Sequence, residues 1–312
     1  MITKEDFLKK YNISDELFQC AEMSWEDLCE IYNDFQSKRD DTYEKILTDF
    51  LDTYLRDLNK IKIHSVRSRV KDAEHLIEKI IRKKQEKQSK YKNLNKSNYE
   101  KFITDIIGIR CLVLFKADWQ IFHRYIVSQF ENRMEYYVKD SIQDFDEDID
   151  HFYIAEKPKV HIRNGDARAI YDEVLPPDSV IDGKIYRSVH YIIKYKGVYL
   201  EIQVRTLFEE GWGEIDHAVV YPYYQDDKIL KEYTELLNRL SGLADEMSGF
   251  FYRLKELEIE ALEQRNMNHN KNTKEDSETD VSKATIQTEE KPEDTTETIS
   301  TPNNCMKSVL SE

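Results

Sequence analysis

Four cysteines in 312 residues, at positions 20, 29, 111 and 305, are too few and too scattered for a disulfide framework, and none has CxxC spacing for a zinc knuckle. Apolar runs of about 18 residues are also missing, which excludes an ordinary membrane-spanning helix. The start Met1-Ile2-Thr3-Lys4-Glu5-Asp6 lacks the basic-then-apolar order of a secretion signal, so the expected location is the cytoplasm. Glycine is scarce, at eight residues, and neither GxxxxGKS/T nor GxGxxG occurs, so the two ordinary Gly-rich phosphate cradles are excluded. Basic residues are outnumbered, 46 against 61 acids, and a net charge of −15 argues against a protein that coats nucleic acid non-specifically.

What is present points to a phosphorylated ligand. At 40% hydrophobic residues the chain can bury one substantial core, or a core plus a smaller helical unit. Its charge is uneven: residues 61–90 hold ten Lys or Arg against four acids, while the end of the chain is rich in Asp and Glu. A local basic patch on an acidic chain suits a small phosphorylated molecule better than a long duplex.

Hydrophobic periodicity organises the chain as an α+β protein, a mixed β-sheet flanked by helices, with helical extensions at both ends. Residues 1–40 read as an N-terminal helical segment and 41–226 as the main domain. From Ser24 to Lys60 apolar residues return at helical spacing, with Tyr43, Ile46, Leu47, Phe50, Leu51, Tyr54 and Leu58 on one face. Ile61-Lys62-Ile63 alternates like a strand. Lys71 to Lys90 is helical, with Leu76, Ile77, Ile80 and Ile81 together, and polar Ser89–Asn98 reads as a mobile loop. Ile106 to Phe115 is nearly continuous apolar, the pattern of a strand covered on both faces. Residues 119–130 look helical, and Met134 to Arg163 strand-like but irregular. Tyr186–Tyr195 and Val198–Arg205, split by Lys196-Gly197, predict a hairpin. Leu230, Tyr233, Leu237, Leu240, Ala244, Met247, Phe251 and Leu254 step by three and four, which makes 227–264 a long amphipathic helix or helix pair, packed on the sheet or on a second subunit. Residues 265–312 are acidic, nearly free of aromatics and expected to be disordered.

With Gly-rich loops excluded, a phosphate cradle here must be built of side chains. Arg67, Arg69, Lys71, Lys79, Arg82 and Lys83 supply guanidinium forks and point charges from a strand and the helix after it, although a basic helix is equally a solvated face. Carboxylates in a sheet are rarer. Asp105 precedes an apolar strand and Glu201 lies between Leu200 and Ile202, and ionised groups there are costly unless paired or bound to metal. Two readings stay open: a magnesium site with one carboxylate accepting a proton from a hydroxyl, or ion pairs with arginines such as Arg110 and Arg205 that hold the sheet together. Tyr186 could stack on a base; His190 and His217 could bond phosphate or merely satisfy buried polar groups.

Five strings then stand in order: Arg69-Val-Lys71 with Lys79 and Arg82; Asp105-Ile-Ile-Gly108-Ile-Arg110; Tyr186-Arg187-Ser188-Val189-His190; Glu201-Ile202-Gln203-Val204-Arg205-Thr206; and Trp212-Gly213-Glu214-Ile215-Asp216-His217. Together, over roughly residues 40 to 225, they resemble the synthetase domain of the RelA/SpoT family. The resemblance implies a nucleotidyltransferase-like mixed sheet that binds ATP and GDP or GTP, uses Mg2+, and makes (p)ppGpp and AMP, as a GTP diphosphokinase of the stringent response. It implies that Asp105 holds the metal, and that Glu201 activates the acceptor 3′-hydroxyl or assists the metal. Arg69, Lys71, Lys79, Arg82 and Arg110 would bind ATP and phosphates, Tyr186 would stack on guanine, and His190, Gln203, Arg205 and Asp216 would complete the acceptor site. The chain departs from the family pattern at His75, commonly Ser, at Ile185, often Gly, and at Asp216, commonly Glu. No His-Asp dipeptide occurs, so the hydrolase domain of the long relatives is missing, and the chain resembles a single-domain small alarmone synthetase.

Two other functions compete. Some small relatives transfer the diphosphate to the tRNA 3′ end or to adenine nucleotides, and Lys83, Lys84, Lys87 and Lys90 offer basic surface for tRNA. A catalytically idle nucleotide or RNA sensor would use the same pocket, but gains little from two desolvated carboxylates. Small relatives often assemble, so a homo-oligomer is a further expectation from the resemblance.

Overall fold

The computed structural model describes residues 2–86, 91–132, 152–163, 166–183, 185–220 and 227–283, with the backbone alone for 131–132 and 268–283. Met1–Leu254 form one compact unit and Lys255–Glu312 a second. Four helices come first, α1 (Lys4–Lys10), α2 (Asp15–Cys20), α3 (Trp25–Lys38) and α4 (Glu44–Tyr54). Thr3, Ser14 and Ser24 cap the first three, each accepting the backbone N–H three residues on. A π-helical turn at Arg39–Tyr43 joins α3 to α4, so the boundary expected after residue 40 falls inside a continuous helical run. Phe7, Leu28, Ile31, Phe35 and Phe50 from these helices are buried in the same cluster as the sheet, and the N-terminal segment is part of one core.

Among the described residues the sheet has seven strands: β1 (Ser65–Val70), β2 (Ile107–Val113), β3 (Glu131–Asn132), β4 (Tyr153–His161), β5 (Val180–Ile181), β6 (Ser188–Tyr195) and β7 (Val198–Thr206). Their spatial order is β1-β2-β7-β6-β4-β3, with β5 beside β4. The sheet is mixed, as expected. β2 runs parallel to β7, and β1–β2, β7–β6 and β6–β4 are antiparallel. Lys196 (φ 46°) and Gly197 (φ 78°) both take left-handed backbone in the β6–β7 turn, the primed turn that matches the twist of a two-residue hairpin.

Side chains alternate across the pleat. Ile107, Ile109, Cys111 and Val113 of β2, Leu200, Ile202 and Val204 of β7, and Val189, Tyr191 and Ile193 of β6 are buried on one face. Helix α5 (Ala73–Gln85), capped by Asp72, contributes Leu76, Ile77, Ile80 and Ile81 to that core; after the one-turn α6 (Tyr99–Phe102), α7 (Trp119–Gln129) contributes Trp119, Phe122 and Ile126. Each such side chain stabilises the fold by about 1.5–3 kcal/mol relative to exposure. The second face is not uniformly covered. Gly108 and Arg110 leave the start of β2 open to a cavity, so its apolar run is double-sided only in part.

Several expectations need correction. Ile61 and Ile63 are buried but not in a strand; Lys62 between them is left-handed at φ 57°, a turn, and β1 begins at Ser65. The stretch taken for a mobile loop runs through turns in which Tyr91 and Leu94 are buried, while 87–90 lie outside the described residues. The irregular segment after Met134 is described only from Phe152, and β4 carries two register shifts against β6. Of the two forms expected for the C-terminal region, the single long helix is the one found, α10 (Lys228–Lys283). It continues past residue 265, where disorder was expected. No Gly or Pro interrupts the chain between Gly249 and Pro292, so no helix breaker forces an end at residue 265. The rest of the expected tail lies outside the described residues.

Candidate active site

On the face of the sheet away from the core, β1, β2 and β7 set side chains in cross-strand rows. Arg69 pairs in register with Gly108, and Gly108 with Glu201; two residues along, Arg67 pairs with Arg110, and Arg110 with Gln203. These rows floor a cavity of about 270 Å3 that Lys71, Asp105 and Glu214 also line. Gly108 stands between Arg69 and Glu201, and nothing lies within 4 Å of where a Cβ would be, so the floor stays open there.

Asp105, just before β2, accepts from two ammonium groups. Lys71 Nζ, at the end of β1, is 2.9 Å from its Oδ2, and Lys79 Nζ of α5 is 2.7 Å away. Burial alone would raise this carboxyl, but the two lysines outweigh it and hold it at about 2. Burial lowers Lys71 in turn, aided by neighbouring Lys79 and Arg69 and opposed by Asp105. Oδ1 of Asp105 is buried and has no hydrogen-bond partner among the described residues.

Glu201 is held differently. His190 Nδ1 lies 3.3 Å from its Oε1, and Gln203 Nε2 donates to its Oε2 at 3.0 Å. Burial pushes this carboxyl up, but the bond and charge of His190, with Gln203, bring it below the usual glutamate value. Gln203 is oriented from its other end, where Arg205 donates to its Oε1. His190 Nε2 is buried without a hydrogen-bond partner among the described residues. His161 packs against both His190 and Tyr186, with ring centroids 4.7 and 5.2 Å apart. Burial raises the Tyr186 hydroxyl, and Arg205 and Glu201 act on it as nearby charges.

Arginine–carboxylate pairs do exist here, but with different carboxylates from those expected. Beyond the one-turn α8 (Ala169–Asp172), Thr206 caps α9 (Leu207–Val219) directly after β7 and so places Glu209 and Glu210 in its first turn. Buried Glu210 accepts from Arg110 at 3.0 Å, Arg205 at 3.3 Å and Arg67 at 3.4 Å, and Glu214 one turn later pairs with Arg67 and Arg110. Burial would lower Arg110, yet Glu210 and Glu214 raise it. Asp105 and Glu201 are thereby left to lysines and a histidine.

Arg69, Lys71, Asp105, Arg110, Glu201 and Gln203 thus line one cavity, Lys79 reaches it through Asp105, and His190, Arg205 and Tyr186 adjoin it through the contacts above. Two expected residues are not brought in. Arg82 pairs with Glu78 and Glu86 along its own helix, because burying Leu76, Ile77, Ile80 and Ile81 turns it outward. Asp216 sits on α9 beyond Glu214 and does not line the cavity; burial raises its carboxyl. Sequence reading picked out neither Glu210 nor His161, and Glu214 stood in a family string without a role. Acids in the first turn of a helix are ordinary dipole-complementing residues, so Glu210 gave no signal.

As for a divalent cation, no cluster of three or more His, Cys, Asp or Glu that would form a complete cage occurs among the described residues. The donor set nonetheless fits Mg2+, which takes one or two carboxylates and keeps waters and phosphate oxygens as its other ligands. Asp105 offers an unpartnered buried oxygen, and Glu201, on the neighbouring row, is ionised at neutral pH.

Residues 68–226 match the family model described as the region found in RelA / SpoT proteins, half of the chain. The chain belongs to this family. Among solved structures it is similar to small alarmone synthetase 1 from Bacillus subtilis bound to its product pppGpp, at 20% identity over 71% of this chain and 93% of that one, TM-score 0.41. It is also similar to small alarmone synthetase 2 from the same organism, at 21% identity over 72% and 97%, TM-score 0.40. A GTP pyrophosphokinase family protein from Streptococcus pneumoniae matches at 23% over 71% and 98%, TM-score 0.38. No curated protein matches significantly. No helix among the described residues is long and apolar enough to cross a membrane.

Proposed function

We propose that this chain transfers a diphosphate from ATP to the 3′-hydroxyl of GDP or GTP, giving (p)ppGpp and AMP. The observation that carries the reading is the pairing of Asp105 and Glu201, two ionised carboxylates of different support, in one cavity walled by Arg67, Arg69, Arg110 and Lys71. Family membership supplies the reaction class.

In this mechanism Glu201, held by His190 and Gln203, accepts the proton of the acceptor 3′-hydroxyl. The freed oxygen forms a bond to the β-phosphorus of ATP, and the bond from that phosphorus to the α-phosphate oxygen breaks, releasing AMP. Arg67, Arg69, Arg110 and Lys71 bind the phosphate oxygens, and Glu210 and Glu214 fix the angle at which the guanidines of Arg67 and Arg110 meet them. Mg2+, when bound at Asp105 and Glu201, would neutralise charge developing on the phosphates. Tyr186, backed by His161, offers its ring to the acceptor base.

The test is ATP labelled in its terminal phosphate, incubated separately with GDP, GTP, AMP and total tRNA, with products resolved by chromatography and Glu201→Gln and Asp105→Asn run beside it. Labelled (p)ppGpp formed by the wild type and lost in both variants is expected. Label appearing only on tRNA or adenine nucleotides, or nucleotide binding with no transfer, would overturn the reading.

A further inference from the structure

Tyr186 lies outside the strands, in the connection between β5 and β6, and Ile185 before it is 64% exposed. Both of its neighbours in the chain are nevertheless tied to α10. Asn238 Nδ2 donates to the Ile185 carbonyl at 2.6 Å, and Arg187 Nη1 donates to Asp245 at 2.9 Å. Asn238 and Asp245 are both buried and stand seven residues apart, two turns along one helix face. The same face is anchored on either side of them. Trp212 Nε1 of α9 donates to the Thr234 carbonyl at 3.0 Å, and Ser248 Oγ donates to the Leu114 carbonyl, just past β2, at 3.0 Å. Apolar packing is non-directional, whereas hydrogen bonds fix distance and angle. A helix that lays Thr234, Asn238 and Asp245 on the body of the protein sets positions there rather than merely covering a core.

We propose that α10 belongs to the acceptor site, with Asn238 and Asp245 as positioning residues that hold Tyr186 through the residues on either side of it. The proposal rests on the reading above that Tyr186 stacks on the acceptor base. Neither residue lines the cavity, so each acts on a substrate only through the Tyr186 segment. Arg187 supplies the firmer half of the hold. Its guanidinium is buried among Asp166, Asp245 and Glu246, and its backbone N–H donates to Glu209 at 3.2 Å. Arg163 bonds the same Glu209, and its Nε donates to Asn238 Oδ1 at 3.2 Å. From Ile185 through Asn238, Arg163 and Glu209 to Arg187 the bonds therefore close a ring, and the one residue between its two ends is Tyr186. A buried guanidinium enclosed by carboxylates adds little net stability, yet losing one partner is costly, so it maintains a single arrangement. Tyr186 thereby meets the acceptor in a fixed place, with His161 against its ring and α10 behind its backbone.

The experiment is calorimetric titration of the full chain with GDP, for the wild type, Asn238→Ala, Tyr186→Ala and the double variant, with circular dichroism as a check on folding. Hydrogen exchange of the Arg187 amide reports the hold directly. Asn238→Ala should raise the Kd for GDP about 2- to 12-fold, the worth of one hydrogen bond, and should quicken that exchange. The exposed Ile185 leaves its carbonyl free to take a water instead, so the fold survives this substitution. Added to Tyr186→Ala, the same substitution should weaken GDP binding no further, because nothing remains for it to position. Asp245→Asn, which keeps the shape and removes the charge facing Arg187, should act in the same direction and vanish in the same background. Asn238→Ala binding GDP like the wild type, unchanged exchange at Arg187, or a loss that adds in full to that of Tyr186→Ala would each overturn the proposal. Tyr186→Ala binding GDP as tightly as the wild type would overturn the acceptor reading and this proposal with it. That pattern is distinct from failure of the hold alone, in which Tyr186→Ala is weakened and Asn238→Ala is not.

Discussion

His190 pairs in register with Gln203, yet its Nδ1 reaches diagonally to the Glu201 carboxylate, 3.3 Å away. That diagonal bond is the chief influence holding Glu201 ionised against its burial.

Replacing His190 by Phe should therefore let burial prevail. On the proposed mechanism Glu201 acts deprotonated, and in the wild type its carboxyl is held below the ordinary glutamate value. Activity of the wild type should fall only as pH drops through that lowered value. In the variant the acidic limb of the kcat/KM profile should move upward in pH, toward neutrality. A pH–rate series on both proteins checks this, and an unmoved limb would remove His190 from the role.

Asp105 makes a prediction about stability. Its pKa falls from 3.8 unfolded to about 2 folded, so the ionised pair with Lys71 and Lys79 stabilises the fold above pH 4 by about 2 kcal/mol. That contribution is lost as pH falls from about 4 to about 2. Urea unfolding of wild type and Asp105→Asn should show a difference that is constant above pH 5 and shrinks below pH 4. A difference that grows on acidification would contradict the sign.

Glu210 accepts from three guanidines while nearly excluded from water. Glu210→Ala should lower unfolding stability by about 3 kcal/mol, because removing one partner leaves buried positive charge uncompensated. Glu214→Ala, on the exposed side of the same network, should cost less than about 1 kcal/mol. Equal losses would mean that the depth of Glu210 is not what matters.

Tyr186→Ala should raise the KM for the acceptor nucleotide by about 5- to 150-fold through lost stacking, with the KM for ATP largely unchanged. Equal increases for both nucleotides would move Tyr186 out of the acceptor site.

The sheet and helices were legible because their periods are strong: Leu76, Ile77, Ile80 and Ile81 define one helix face, and Lys196-Gly197 sits between two alternating runs as a turn should. Asp105 and Glu201 stood out as carboxylates in apolar company. Their partners did not, since a lysine before a helix and a histidine on another strand meet them only once β1, β2, β6 and β7 are in register. Arg110 and Arg205 looked like the natural counterions of those acids. Only the cap at Thr206, which swings Glu210 over both guanidines, reveals that they are already engaged. The side of α10 that meets the body was equally hidden: it is the polar one, with Thr234, Asn238 and Asp245 buried, and a stripe read from sequence does not say which side of a helix is covered.

The parallel pairing of β2 with β7 also has a consequence for how the protein comes to exist. Parallel neighbours cannot be joined by a tight turn, and here roughly ninety residues of chain separate them. Asp105 is synthesised long before Glu201, and until the β6–β7 hairpin docks beside β2 the arginines of β1 and β2 have neither Glu201 nor Glu210 across from them. Contacts of such sequence separation form late and slowly. A fragment that ends before Glu214 therefore lacks part of the pocket's lining, however well its earlier strands pair.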